Sequence, residues 1–206
     1  MFIGIYGGSF NPIHFGHLGL ARWVVEHTEL DEVWLMVTPN NPLKDSTILA
    51  PEKQRLAEAQ AAVQRSLKEQ PLTNGKIIRV SDLEFSLPRP SFTAQTLAVL
   101  QQTYPNDRFA LVIGEDNWQI FTRWRDWEKI QLNHRIYVYP RHQETTNKRD
   151  NVCSSQPTSP HSQFLIRDDL SNNKLSSDNL IGDVHFLRGV PYFDISSTQI
   201  RNQKIN

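Results

Sequence analysis

Cysteine is nearly missing from this chain: Cys153 is the only one in 206 residues. No intrachain disulfide can therefore brace the fold, and its stability has to come from a buried apolar core. A single thiol in a Ser- and Asn-rich stretch reads as incidental rather than catalytic, and the absence of pairs points to a reducing compartment. Excess charge of either sign is also missing, since 22 Lys and Arg balance 22 Asp and Glu. That balance argues against a broad basic face for nucleic acid or acidic lipid, so any anion site must be local. Long apolar runs are lacking too: none approaches the roughly 18 residues of a membrane span. The first residues show no basic n-region of a secretory signal. The expectation is a cytoplasmic protein that engages neither nucleic acid nor membrane. What is present is an ordinary globular composition, 38% hydrophobic and 21% charged, sufficient for one domain.

Short runs rich in β-branched and aromatic residues punctuate the chain: FIGIY, VWLMV, KIIRV, RFALVI and RIYVY, each followed by turn-forming residues. They read as strands. Between them lie HLGLARWVVEHTEL, PEKQRLAEAQAAVQRSL and SFTAQTLAVLQQTY, all of helical length. In the second, Leu56, Val63 and Leu67 mark an apolar stripe, and Pro51 suits the first turn. The alternation predicts an α/β, Rossmann-like fold: a mostly parallel sheet with helices on both faces and ligands at the carboxyl ends of the strands. From about 141 to 179 Ser, Asn, Thr, Gln, Pro and charges dominate. So little apolar surface predicts a flexible insertion within a single domain spanning 1–206. A further strand, DVHFL, follows, and then DISSTQIR, whose Ser196 and Gln199 have the spacing of a capping box.

The opening segment carries the chemistry. After the first strand, Gly7, Gly8 and Ser9 form a turn whose free N–H groups and missing side chains would let a phosphate approach. Glycines in such turns are commonplace, so the pair alone says little. His14 and His17, three residues apart at the start of the next helix, project from one face over the strand ends, and Gly16 between them leaves room for a flat ligand. A zinc site would want further ligands, and no nearby Cys, Asp or Glu supplies them. Imidazoles donating to phosphate oxygens are the better account, because charge at an attacked phosphorus can be stabilised by fixed donors without a covalent intermediate.

These residues resemble a family. GGSFNPIHFGH is similar to the H-x-G-H signature of the nucleotidyltransferase superfamily. NNPLK, PSFTAQTL, IGEDNW, RW and ISSTQIR follow in the order found in bacterial nicotinate-nucleotide adenylyltransferases. The resemblance implies adenylyl transfer from ATP to nicotinate mononucleotide, giving deamido-NAD and pyrophosphate in NAD biosynthesis, with Mg2+ carried by the ATP phosphates and no protein-held metal. Carried over residue by residue, it implies catalytic roles for His17, His14, Lys44 and Arg201. ATP would be held by Gly8, Ser9, Phe10, His14, His17, Gly114, Asp116, Arg141, Ile195, Ser196, Ser197, Thr198 and Arg201. The mononucleotide would meet Asn40, Lys44, Thr93 and Trp124, the indole stacking near the pyridine ring.

Local physics agrees in places. Ser197 and Arg201 lie four apart on one helical face, beside free helix N–H groups; Gly114 and Asp116 directly follow the fourth strand, where a carboxylate can accept from ribose hydroxyls. The sequence departs from its relatives at Ser9 and Asn11, where many carry Thr and Asp, and at Arg125, where some carry an aromatic. The last departure bears on the choice between acid and amide. Only five residues follow Arg201, which predicts a frayed final helix. The alternatives are a sister adenylyltransferase for nicotinamide mononucleotide or phosphopantetheine, and a nucleotide-binding regulatory protein of weak activity. A synthetase fragment is disfavoured because no Lys-Met-Ser-Lys-Ser loop is present. Self-association into a homo-oligomer stays open.

Overall fold

The computed structural model describes residues 1–39, 49–141, 182–191, 197, 200 and 201. The predicted 141–179 insertion, beyond Arg141 itself, and Cys153 lie outside the described residues, as do Asn40, Lys44, Ile195, Ser196 and Thr198. Residues on either side of the 142–180 segment belong to one compact unit.

Six parallel strands form the sheet: β1 (Phe2–Gly8), β2 (Glu32–Val37), β3 (Ile77–Ser81), β4 (Arg108–Gly114), β5 (Arg135–Tyr139) and β6 (Val184–Phe186), in the order β3-β2-β1-β4-β5-β6. The predicted mostly parallel sheet is thus parallel throughout its described strands. β2 reads EVWLMV and is buried along its whole length, which is the mark of a central parallel strand covered on both faces.

Side-chain alternation sorts the core into two layers. Phe2 and Tyr6 of β1 join Val33 and Leu35 of β2 under helices α1 (Phe15–His27) and α2 (Glu52–Glu69). Ile3 and Ile5 point the other way, with Trp34 and Met36, against Leu97 and Leu100 of helix α3 (Thr93–Thr103). Helices therefore cover both faces, as the alternation predicted. Gly4 lies where the first layer is tightest, because a Cβ there would meet Leu30 Cδ1 at 2.6 Å and Val112 Cγ2 at 3.3 Å.

At the amino edge of β2, Glu32 is buried and accepts from Trp34 Nε1 at 2.7 Å and from Arg79 Nε and Nη2 at 2.7 and 3.1 Å. This bidentate pair ties β2 to β3.

Two regions differ from the sequence reading. Between β4 and β5 lie short helices α4 (Glu115–Trp118) and α5 (Trp127–Asn133) and a 3-10 turn (Phe121–Arg123). Each is too short to show helical periodicity, and α5 starts from Asp126 in the left-handed region (φ 55°). Helix α2 buries Arg55, Ala59 and Val63, whereas the expected stripe ran through Leu56, Val63 and Leu67. Leu56 and Leu67 flank the core and are only partly buried.

Candidate active site

The strand order reverses between β1 and β4, the two central neighbours. At such a switch point the connections leave in opposite directions, and a crevice opens beyond the carboxyl ends of the strands. Gly8, Gly114 and Tyr139 end β1, β4 and β5 there, and most of the described candidate residues lie at or after one of these ends; Thr93 follows β3, and Ser197 and Arg201 follow β6.

His14 is the N-cap of α1 and His17 its third helical residue. Their rings lie 3.7 Å apart between centroids with planes inclined by 31°, so the predicted pair is a stacked pair. The His14 backbone N–H donates to His17 Nδ1 at 3.2 Å. With Nδ1 occupied as an acceptor, a neutral His17 carries its proton on Nε2.

An aromatic bed fixes the ring. Phe10 meets His17 edge to face at 5.1 Å, and Tyr6 meets Phe10 at 5.7 Å and Tyr139 at 6.0 Å. Burial, reinforced by Tyr139, holds the Tyr6 phenol well above its ordinary pKa, so it stays a neutral hydroxyl. His14 is pushed down to about 4, first by burial and second by the Arg141 guanidinium. It is therefore neutral at neutral pH, and its buried Nδ1 has no hydrogen-bond partner among the described residues.

The Phe10 side chain is buried, which leaves its main chain for the expected ATP contact. Phe10 is 2% exposed and its φ is +43°, a left-handed conformation that costs a bulky residue roughly 1–2 kcal/mol. The ring is turned inward beneath the loop. Its edge fills the space above Gly8, where a Cβ would lie 3.0–3.3 Å from ring carbons, while nothing stands within 4 Å of a Cβ on Gly7. Gly8 thus leaves little room for a side chain beside the Phe10 ring, whereas the space at Gly7 is open.

Across the crevice, Arg141 pairs with Asp116 (Nη1 to Oδ2, 3.2 Å) and donates to the Tyr139 hydroxyl at 3.2 Å. The pair folds over Gly114: a Cβ there would meet Asp116 Oδ1 and Arg141 Nε before anything else. Both side chains are about half exposed, so a nucleotide can exchange with either partner of this ion pair.

The far end of the chain reaches the first loop. Ser197 Oγ donates to the Pro12 carbonyl at 3.0 Å, and Arg201 Nη1 donates to the Asn11 carbonyl at 2.5 Å. Asn11 is buried, and its side-chain oxygen accepts from the Ala50 N–H at 3.2 Å. Ser197, Ile200 and Arg201 are helical; the residues after Arg201, on which the expectation of fraying bears, lie outside the described residues.

Thr93 opens α3, and Phe92 precedes it as N-cap. The Arg125 guanidinium sits 5.0 Å from the centroid of the Phe92 ring, so the Trp124-Arg125 and Phe92-Thr93 dipeptides meet. The Trp124 indole N–H is buried without a hydrogen-bond partner among the described residues. Beneath this corner, Glu84 is 6% exposed and accepts from Thr96 Oγ1 at 2.8 Å and Ser91 Oγ at 3.4 Å. Burial pushes its carboxyl up, and those hydroxyls oppose the shift.

Glu84 and Arg55 are residues that the sequence reading passed over. Arg55 had a visible signal: with Ala59 and Val63 it occupies every fourth position of one buried helical face, an unusual place for a charge. Among the described residues no cluster of three or more His, Cys, Asp or Glu is placed to hold a metal ion. No described helix is long and apolar enough to cross a membrane.

Comparison with known proteins agrees with this geometry. The Cytidylyltransferase-like family profile matches residues 5–203. A probable nicotinate-nucleotide adenylyltransferase of Bacteroides fragilis is 44% identical over 175 residues, 83% of either chain. One from Flavobacterium johnsoniae is 39% identical over 202 residues, covering 98% of this chain and 86% of its own. Among solved structures, the Plasmodium falciparum nicotinic acid mononucleotide adenylyltransferase complexed with NaAD shares the fold, with a TM-score of 0.63 at 19% identity over 98% of this chain and 82% of its own. From the histidine pair at the mouth of β1, the crevice at the switch point and these matches, the chain belongs to the cytidylyltransferase-like family and, within it, to the nicotinate-nucleotide adenylyltransferases.

Proposed function

We propose that the protein transfers the adenylyl group of ATP to nicotinate mononucleotide. A phosphate oxygen of the mononucleotide attacks the α-phosphorus in line, the bond to the bridging oxygen of the β-phosphate breaks, and pyrophosphate leaves with that electron pair. The observation that carries this reading is the His14–His17 stack with its preset tautomer. In the reaction His17 donates from Nε2 to the transferred phosphoryl oxygens as charge develops on them.

In this reading His14, Lys44 and Arg201 steady the phosphates, together with Gly8, Ser9, Ser197 and their neighbours. Asp116 and Arg141 exchange their mutual ion pair for contacts to the nucleotide. Thr93, Trp124 and Asn40 hold the mononucleotide. The donor set suits phosphate oxygens rather than a bare cation; Mg2+ carried by the triphosphate would be held by its oxygens and would supply charge neutralisation toward the incoming phosphate. A cytoplasmic location accompanies this role.

Arg125 supports the acid over the amide, because its guanidinium, seated over Phe92 beside Thr93, offers positive charge to a carboxylate and little to an amide. The test is pyrophosphate release measured with nicotinate and nicotinamide mononucleotides in parallel. The acid is expected to be the faster substrate. Arg125→Gln should narrow the ratio of the two kcat/KM values about threefold, the size of a solvent-exposed ion pair. ATP binding without pyrophosphate release from any mononucleotide would make the protein a nucleotide-binding module. Preference for nicotinamide mononucleotide or phosphopantetheine would move it to a sister activity.

A further inference from the structure

Three side chains converge above Gly114 at the end of β4. A Cβ on that glycine would meet Asp116 Oδ1 first, then Arg141 Nε at 2.9 Å and Tyr139 Cζ at 3.2 Å. Tyr139 is the register partner of Gly114 across the β4–β5 ladder, so the sheet itself brings this phenol to the site. The Arg141 guanidinium carbon lies 5.8 Å from the Tyr139 ring centroid, Nη2 donates to the phenol oxygen at 3.2 Å, and Nη1 faces Asp116 Oδ2 at 3.2 Å. One guanidinium therefore holds two unlike partners.

The first partner is charged and the Asp116–Arg141 pair is about half exposed. Such a pair is weak, and an incoming phosphate competes with the carboxylate for the same cation. The second partner is buried: Tyr139 is 6% exposed, and its ring meets Tyr6 edge to face at 6.0 Å. Tyr6 in turn packs on Phe10 and lies 6.3 Å from the His17 ring, so the hydroxyl is fixed by the same aromatic bed that carries the histidine pair. Being neutral, it accepts from the guanidinium whichever anion occupies the opposite side. An arginine side chain held at one fixed acceptor loses less freedom when a ligand arrives.

We propose that Tyr139 is a positioning residue for nucleotide binding: its hydroxyl keeps the Arg141 guanidinium in place above Gly114 both before and after Asp116 gives way to the nucleotide. The inference rests on the reading, given under Proposed function, that Arg141 contacts ATP.

Tyr139→Phe removes the oxygen and keeps the ring with its packing. Tyr137→Phe is the matched control, because Tyr137 lies two residues earlier on the same face of β5 and its buried hydroxyl has no hydrogen-bond partner among the described residues. These two variants, Arg141→Gln and the Tyr139→Phe/Arg141→Gln double variant are compared with wild type by ATP titration in a calorimeter, by kcat and KM for each substrate, and by thermal unfolding. Tyr139→Phe is expected to weaken ATP binding and raise its KM about three- to tenfold, the worth of one hydrogen bond. Its kcat and its KM for the mononucleotide should stay within about twofold of wild type, as loss of ground-state nucleotide binding requires. Tyr137→Phe should bind ATP as wild type does. In the Arg141→Gln background the Tyr139 substitution should change ATP affinity by less than about twofold, since the hydroxyl acts through the guanidinium.

Unchanged ATP affinity in Tyr139→Phe overturns the proposal. So does an equal loss in Tyr137→Phe, which would trace the effect to the strand as a whole, or a full loss persisting in the Arg141→Gln background. A wild type that binds no ATP, or an Arg141→Gln variant that binds it normally, would instead remove the reading beneath the proposal and the proposal with it.

Discussion

Removal of the His17 imidazole can be divided into its two jobs. Its Nδ1 accepts from the His14 backbone N–H at 3.2 Å, a capping role, and in the proposed reaction its Nε2–H donates to the phosphoryl group. In His17→Asn the side-chain amide oxygen can still accept from the N-cap N–H, whereas the Nε2 donor is gone. His17→Ala removes both. Loss of one preorganised donor costs about 100-fold to 1,000-fold in kcat, or roughly 2.7–4 kcal/mol. Loss of a cap partner costs about 0.5–2 kcal/mol, and loss of the edge-to-face contact with Phe10 about 0.5–1.5 kcal/mol.

Both variants are therefore expected to lose at least about 100-fold in turnover at saturating ATP and mononucleotide. Their melting temperatures should separate by a few degrees, at about 2–4 °C per kcal/mol for a chain of this size, with the alanine variant lower. Pyrophosphate release and calorimetric unfolding read the two effects independently. Wild-type turnover in His17→Ala at saturating ATP would refute the argument. A loss confined to KM would reduce His17 to a ground-state contact.

Two further expectations separate stability from function. Gly4→Ala forces a methyl into Leu30, itself fully buried, and should cost about 1–3 kcal/mol with KM for ATP unchanged. Gly114→Ala meets instead the mobile ends of Asp116 and Arg141, so its melting temperature should stay near wild type while KM for ATP rises; equal destabilisation by both would show that Gly114 is a packing residue. His14 adds a pH signature. Its pKa falls from 6.5 unfolded to about 4 folded, so between these values the unfolded chain binds more protons and stability rises with pH. Melting temperature should thus be highest above about pH 6.5 and fall toward pH 4, with a shallower slope in His14→Gln; parallel curves for the two proteins would contradict the burial of His14.

Much of this architecture was legible locally. Strands such as VWLMV announce themselves because a parallel strand covered on both faces must be apolar throughout, and the intervening helices because their polarity repeats every three or four residues. The family resemblance brought His14 and His17 forward, and the structure stacks them. The short helices between β4 and β5 escaped notice because one or two turns cannot display a period. Arg125 and Gly114 were singled out, yet nothing nearby in sequence predicts that the first rests on Phe92 or that the second lies beneath Arg141.

By itself the sequence determined which segments become strands and helices, that they alternate, and that a histidine pair follows the first strand at helical spacing; these are properties of neighbours a few residues apart. Only the tertiary structure decided the strand order that opens the crevice, the inward turn of Phe10 that crowds Gly8, and the capture of four carbonyls by Arg55. Those depend on contacts between distant segments, such as Ser9 and Arg55, 46 residues apart, and become readable only when the sheet has set the separations at which a guanidinium or a ring can fit.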